Sequence, residues 1–340
     1  MRTRSNRWCV RGRLHRRGGE GEGGSWSGRC DERRGAKAGR CGVVLRAKSE
    51  VAMEEEEEEE ERRAVVMSNE DEAEKRRTLF STISGRYDVM NDALSLGAHR
   101  AWKCQAVYSA LGGIQGLLRN AVTDINQDGS ASRHVQLLDL CCGSGDLALI
   151  AATMLGPRGS VTGLDFSSTI LNVARKKEAT EMEATAGLIR LGFPARSAID
   201  WVEGDALRLD FEPESFDAVT MGYGLRNIVD IPRAMREMHT VLKPGGRVAV
   251  LDFNNIEVGA GIDSLGAQAM KTFQGLMLDN VVVPAARALD MGAEYEYLKP
   301  SIEAFPCGRA QEQIALESGF REARHEELAG GLMGLLILSK

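Results

Sequence analysis

No run of apolar residues in this 340-residue chain approaches the roughly 18 to 20 that a bilayer-spanning helix needs. The longest, Leu332 to Leu338, is interrupted by Gly334, so an integral helical membrane protein is excluded. Cysteine is sparse and scattered: seven residues, with the adjacent pair Cys141 and Cys142 inside an apolar run rather than at zinc-ligand spacing. They read as reduced thiols, with no disulfide scaffold and no metal. Positive charge is scarce beyond the N-terminus. Residues 1–48 hold 14 Lys/Arg against 4 Asp/Glu, and the formal charge of -6 for the whole chain therefore leaves -16 on the remaining 292 residues. An acidic body is a poor partner for phosphate backbones, and nucleic acid is excluded. Internal repeats are absent. What is present, 43% apolar and 27% charged residues, suits a globular domain with a sizeable core.

The chain divides near residue 68. Residues 1–19 carry seven arginines, no acid and no apolar h-region, the composition of an organelle transit segment rather than a secretory signal; a solvated basic tail is the alternative. Glu54 to Glu61 is a run of eight glutamates whose mutual repulsion favours an extended or weakly helical, solvated state, so residues 1–68 read as a disordered extension and linker. From Asn69 through Trp102 and Leu111 charged and apolar residues mix at helical spacing, which starts the folded part, read as running to Lys340. Thr123 to Arg133 is a polar loop and Ala179 to Ser197 a second, partly helical insertion.

Between these insertions strands and helices alternate. Val135 to Leu140 reads as a strand entering a glycine turn, and Asp146 to Leu155 as a helix. Ser160 to Asp165 is a second strand, with Ser167 or Ser168 capping the helix that follows. Asp200 to Glu203, Phe216 to Met221, a helix over Ile231 to Leu242, the turn Lys243 to Gly246 and a strand over Arg247 to Asp252 continue the series. The fold class is α/β: a doubly wound, mostly parallel sheet with helices on both faces. Ligands of such sheets lie beyond the carboxyl ends of the strands, where Cys141 to Gly145, Asp165, Asp205 and Gly222 to Arg226 all fall.

The glycine turn predicts the ligand. Gly143 and Gly145 supply backbone freedom and close approach, but the third glycine of a dinucleotide fingerprint is missing. An acid, Asp146, also stands where a pyrophosphate would be repelled. That favours a donor without phosphates, S-adenosylmethionine. Asp165 is placed for two ribose hydroxyls, and Asp205 for an adenine amine beside the backbone of Ala206. Helix or turn capping is the ordinary alternative for either acid alone.

These motifs resemble the ubiquinone and menaquinone biosynthesis C-methyltransferases, within the class I S-adenosylmethionine-dependent methyltransferases. The resemblance runs from Arg76 to Lys340. It is carried by Tyr87 to Asp92 with Ser95 to Gly97 and Trp102-Lys103, by Leu137 to Ala148, and by Gly222 to Asn227 with Leu242 to Gly246. The wording around Cys141 and Cys142 is similar to the chloroplast and cyanobacterial branch, which methylates demethylphylloquinone. The resemblance implies that residues 69–340 form one methyltransferase domain with an N-terminal helical lid. It implies cofactor contacts at Ser144, Asp165, Asp205, Ala206 and Gly222, beside Asp139, Cys141, Gly143 and Gly145 of the turn. It also implies a prenylated quinol as acceptor, taken from a membrane surface by segments such as Phe273 to Val283 or those flanking Leu94 to Leu96, with core packing as the alternative. Chloroplast is the implied location, mitochondrion the alternative; the oligomeric state is left open.

Methyl transfer to a ring carbon requires the reduced quinol, with a polar group at its hydroxyl and the carbon held at roughly 3 to 3.5 Å from the methyl. Candidates are Tyr87, Asp88, Asn91, His99, Tyr223, Arg226 and Asn227. Arg226 either stabilises the phenolate or ties its loop to an acid. His99 is either a base or a structural residue, Asp88 and Asn91 either touch substrate or cap the lid helix, and the two cysteines are small fillers behind the turn. Rival readings are a ubiquinone-type or demethylmenaquinone acceptor, a non-catalytic member of a quinone-synthesis assembly, and, last, an NAD(P) oxidoreductase.

Overall fold

The computed structural model describes residues 97–113, 116, 134–190, 195–257, 264–288 and 298–340, all within the unit Ala64–Lys340. The extension over residues 1–68, the lid residues Tyr87, Asp88, Asn91 and Leu94 to Leu96, and the loop Thr123 to Arg133 lie outside the described residues.

Helix α1 (Ala98–Ala110) precedes strand β1 (Val135–Leu140), which leads through the glycine turn into α2 (Asp146–Leu155). Then follow β2 (Gly159–Asp165), α3 (Ser168–Arg190), β3 (Ala198–Glu203), β4 (Phe216–Gly222), α4 (Ile231–Val241) and β5 (Leu242–Phe253). Helices α5 (Ser264–Met277), α6 (Val283–Ala288), α7 (Leu298–Ala304) and α8 (Gly308–Glu317) lead to β6 (Glu322–Leu328) and β7 (Met333–Ser339). The seven strands lie in the order β3-β2-β1-β4-β5-β7-β6. Strands β1 to β5 are mutually parallel, and β7 runs antiparallel to both β5 and β6. This is the expected class I methyltransferase architecture. The strand order reverses between β1 and β4, paired from Leu137↔Ala218 to Leu140↔Met221, and that is where a ligand crevice opens.

The strands read as nearly continuous apolar runs because both faces are covered. Leu138, Leu140, Val219, Met221, Val248 and Val250 pack with Met235 and Met238 of α4 in one core. Leu137, Ala218, Ala249 and Leu251 meet Ala148, Ala151 and Ala152 of α2 and Ala106, Val107 and Ala110 of α1 in the other. Helix α4 starts where Asp230 accepts a hydrogen bond from the Arg233 N–H at 2.9 Å, with proline in its first turn.

Three elements depart from expectation. Ala179 to Arg190 is no insertion but the second half of α3, which the Ser167 hydroxyl caps at the Ile170 N–H. The turn Lys243 to Gly246 loops out within β5, whose register with β4 jumps from Phe216↔Leu242 to Ala218↔Arg247. Leu332 to Leu338, noticed only as an apolar run, is mostly β7, an inner strand buried on both faces. Its edge partner β6 is so charged (Glu-Ala-Arg-His-Glu-Glu-Leu) that no strand is legible in it; such charge protects an edge from pairing with other chains.

Candidate active site

The turn after β1 is built on left-handed backbone. Cys141, Gly143 and Gly145 have φ of 52°, 54° and 88°. At Gly143 only the dihedral demands glycine, since an added Cβ would meet nothing closer than Ile170 at 3.7 Å. At Gly145 space demands it as well: a Cβ would lie 2.5 Å from the Trp201 ring. Trp201, on β3, is held by its Nε1–H donating to Glu178 Oε2 at 2.7 Å. This packing partner of the turn carries no sequence signal, because β3 reads only as a short strand.

Carboxylates hold the turn from several sides. Asp165, at the end of β2, accepts the Gly143 N–H on Oδ2 and the Ser167 N–H on Oδ1, each at 3.0 Å. Burial pushes its carboxyl up, against the lowering by these N–H groups. The Phe166 N–H also bonds to it, and since a carboxylate offers about four acceptor positions, room remains for a ligand's hydroxyl. Asp205 accepts the Leu207 N–H at 2.9 Å in the turn after β3, beside buried Ala206. Gly222 ends β4, where a Cβ would press on Leu147 at 2.8 Å, and Ser144 is half-buried in the turn itself. Asp165, Asp205, Ala206, Gly143, Ser144, Gly145 and Gly222 thus share one edge of the sheet.

Asp139 does not line that edge as expected. It is 1% exposed beneath the turn, accepting the Ala148 N–H at 3.1 Å and the Thr220 hydroxyl at 2.7 Å. Burial pushes its carboxyl up to about 7, over the lowering by those two donors. Thr220, its partner across the switch point, is a residue sequence reasoning missed. Asp146 corrects another expectation: it does not present a bare negative charge, because Lys103 and Lys177 both pair with it. Burial pushes its carboxyl up, and the two ammonium groups more than reverse this, to about 2. Charge repulsion at Asp146 therefore cannot be what disfavours a pyrophosphate; the missing third glycine still does. Burial, and then the nearby carboxylates Asp165 and Asp139, push the Cys141 and Cys142 thiols up. That keeps them protonated and suits them as fillers.

The loop after β4 forms the other wall. Tyr223 has φ of 59°, and its ring stands 5.7 Å from that of Phe253 and 5.8 Å from the Lys103 ammonium. Gly224 packs on Cys141, with room for no Cβ, so the β1 and β4 loops touch. Arg226 is paired with Asp252 at 2.7 Å, both side chains 4% exposed, which is the loop-tying alternative stated for it. Asn227 donates to the Tyr223 carbonyl at 3.2 Å. His99 is buried in α1, four residues before Lys103 on the same helical face. Asp88, Asn91 and Tyr87 lie outside the described residues.

The model of the ubiE/COQ5 methyltransferase family matches residues 67–340. The chain is 44% identical over 266 residues to the chloroplastic 2-phytyl-1,4-beta-naphthoquinone methyltransferase of Arabidopsis thaliana, covering 78% of this chain and 87% of that protein. It is 41% identical over 266 residues to the 2-phytyl-1,4-naphtoquinone methyltransferase of a Nostoc species, covering 78% of this chain and 99% of that one. The family match begins ahead of α1 and ends at the final residue, so every strand of the sheet falls inside it: the chain belongs to the ubiE/COQ5 methyltransferase family.

Proposed function

We propose that the protein transfers a methyl group from S-adenosylmethionine to a ring carbon of a phytyl naphthoquinol, converting demethylphylloquinol to phylloquinol in the chloroplast. The observation that carries this is the 44% identity to a chloroplastic phytyl-naphthoquinone methyltransferase over 87% of its length. Residues 1–68 then serve as transit segment and linker, and residues 69–340 as the methyltransferase domain.

The site residues fit the donor. Asp165 keeps acceptor positions for ribose hydroxyls, Asp205 and Ala206 flank the place for adenine, and the left-handed turn lets a ligand approach the backbone. Two lysines beside the turn are paired with Asp146 instead of being set to bind phosphate. When bound, S-adenosylmethionine supplies an electrophilic methyl on a sulfonium. The protein's part is to bind the donor by its sugar and base, present a planar acceptor against Tyr223 and Phe253, and keep water from the reacting phenolate. Arg226, matched by Asp252, orders the acceptor loop.

The phytyl tail requires a route from a membrane. Leu265, Phe273 and Leu276 of α5 are 68%, 47% and 56% exposed while Gln274 and Leu278 are buried, so the segment packs on one side, and its exposed apolar residues support peripheral contact of α5 with a lipid surface.

The test is transfer of labelled methyl to demethylphylloquinol under reducing conditions. Turnover is expected with the quinol and none with the oxidised quinone, whose ring carbon is a poor nucleophile. Preferential methylation of a ubiquinone-type benzoquinol would overturn the acceptor, and absence of both donor binding and transfer would favour the non-catalytic reading. With acceptor embedded in vesicles, Leu276→Glu should slow turnover, and with detergent-dispersed acceptor it should not.

A further inference from the structure

Tyr223 is one of four described residues other than glycine with positive φ. A bulky aromatic holds that conformation only where its surroundings impose it. Here they do so at three points. The Tyr223 N–H donates to the Leu251 carbonyl at 2.7 Å, and its own carbonyl accepts from Arg226 Nη1 at 2.9 Å and from Asn227 Nδ2 at 3.2 Å. Arg226 is in turn fixed by one carboxylate. Its Nη1 donates to Asp252 Oδ1 at 2.7 Å and its backbone N–H to Oδ2 at 3.1 Å. Asp252 Oδ1 also accepts the Phe253 N–H at 2.8 Å, and the Phe253 ring meets both the Tyr223 ring and the Arg226 guanidinium, at 5.7 Å and 5.2 Å.

We infer that Asp252 is a positioning residue for methyl transfer: acting through Arg226, it holds the Tyr223 backbone left-handed and so sets where the Tyr223 ring stands on the acceptor wall. Asp252 is the penultimate residue of β5, whose preceding residues are buried sheet, and it looks from sequence like one more polar residue near a strand end. Its two oxygens join the loop after β4 to the end of β5, beside the bond from the Tyr223 N–H to the Leu251 carbonyl. The inference rests on the methyl-transfer reading of the crevice, with the acceptor at Tyr223.

The experiment uses the full chain with Asp252→Asn, Tyr223→Gly and the two combined, reading kcat, KM for the quinol, donor affinity by calorimetry and hydrogen exchange of the Tyr223 amide. Asp252→Asn should lower kcat at least about tenfold while donor affinity stays within about threefold, since misplacing the acceptor wall costs reactive geometry rather than donor contacts. Its Tyr223 amide should exchange about tenfold faster or more, reporting the loosened turn. Glycine adopts this φ unaided, so in the Tyr223→Gly background Asp252→Asn should lower kcat by less than about twofold. If Asp252→Asn leaves kcat unchanged, if the two losses simply multiply, or if donor affinity falls in step with kcat, the positioning role is overturned. Should Asp252→Asn fail to fold because Arg226 is left buried without its counter-ion, the neutral pair Arg226→Gln with Asp252→Asn takes its place under the same criteria. A wild-type protein inert toward every quinol would overturn the proposed function, whereas the amide exchange would still decide the clamp.

Discussion

The two sides of the switch point are held by different chemistry. On the side of β1 to β3, carboxylates accept main-chain N–H groups: Asp165 takes Gly143 and Ser167, Asp139 takes Ala148, and Asp205 takes Leu207. On the side of β4 and β5, Asp252 likewise accepts main-chain N–H groups, those of Arg226 and Phe253, but it is also half of a buried ion pair, and that pair with a tilted ring contact holds one strained aromatic residue. Backbone held by carboxylates gives a rigid cradle whose contacts barely depend on which side chains surround it, suited to a donor that never changes. The β4 and β5 wall depends on an ion pair and rings reaching across loops, so its shape depends on the identity of each, which under the proposed function suits a wall that selects an acceptor.

Asp165→Ala should have the largest effect on this contrast. It removes the acceptor of the Gly143 and Ser167 N–H groups and, under the proposed function, of the cofactor's ribose hydroxyls, and hydrogen bonds to a charged group contribute about 1.5–3 kcal/mol each. Calorimetry should show donor affinity down at least about 100-fold, while Asp252→Asn leaves it nearly unchanged; equal losses in both variants would erase the distinction between the two sides. Next comes Gly145→Ala. Its methyl would enter the Trp201 ring from a left-handed backbone, and overpacking of that kind costs about 1–3 kcal/mol, with the φ penalty added. Denaturant unfolding should reveal the loss, and Gly143→Ala, whose methyl would meet only Ile170 at an ordinary 3.7 Å, should cost less.

A pH-dependent effect concerns Asp139. Its folded carboxyl stands at about 7 against an ordinary 3.8, so between those values the folded state holds more protons than the unfolded state. Its contribution is therefore most favourable below the lower value and is lost as pH rises through the upper, by up to about 1.4 kcal/mol per pH unit within the window. Asp139→Asn keeps an acceptor for Ala148 and a donor for the Thr220 hydroxyl. Between about pH 4 and 7 it should abolish this slope, measured as stability of variant minus wild type against pH. A difference that does not change with pH would mean that Asp139 is ionised throughout.

The β1 to β3 side was also the more legible in sequence. Strand β1 and helix α2 lie where periodicity and the glycine turn put them, and Asp165 and Asp205 follow strands recognisable by their apolar runs. Trp201 and Thr220 were not legible, because nothing local marks one strand residue as the neighbour of a turn some 60 or 80 residues away. Arg226 was noticed but its partner was not: Asp252 is 26 residues distant, and pairing was one of two roles left open. Asp146 was misjudged for the same reason, since the lysines that neutralise it stand on α1 and α3. Strand β6 was invisible because its charges obscure the alternation that marks a strand, and β7 because an inner strand buried on both faces loses it too.

By itself the sequence determined what local physics governs: where strands and helices alternate, where glycine must bend the chain, and which acids follow strands at the ligand-bearing edge. Only the tertiary structure decided which charges are matched, which acid lies under the turn rather than beside the ligand, and which carboxylate holds Tyr223. Those outcomes depend on desolvation and on partners far along the chain, and neither exists until the sheet has brought β1, β4 and β5 side by side.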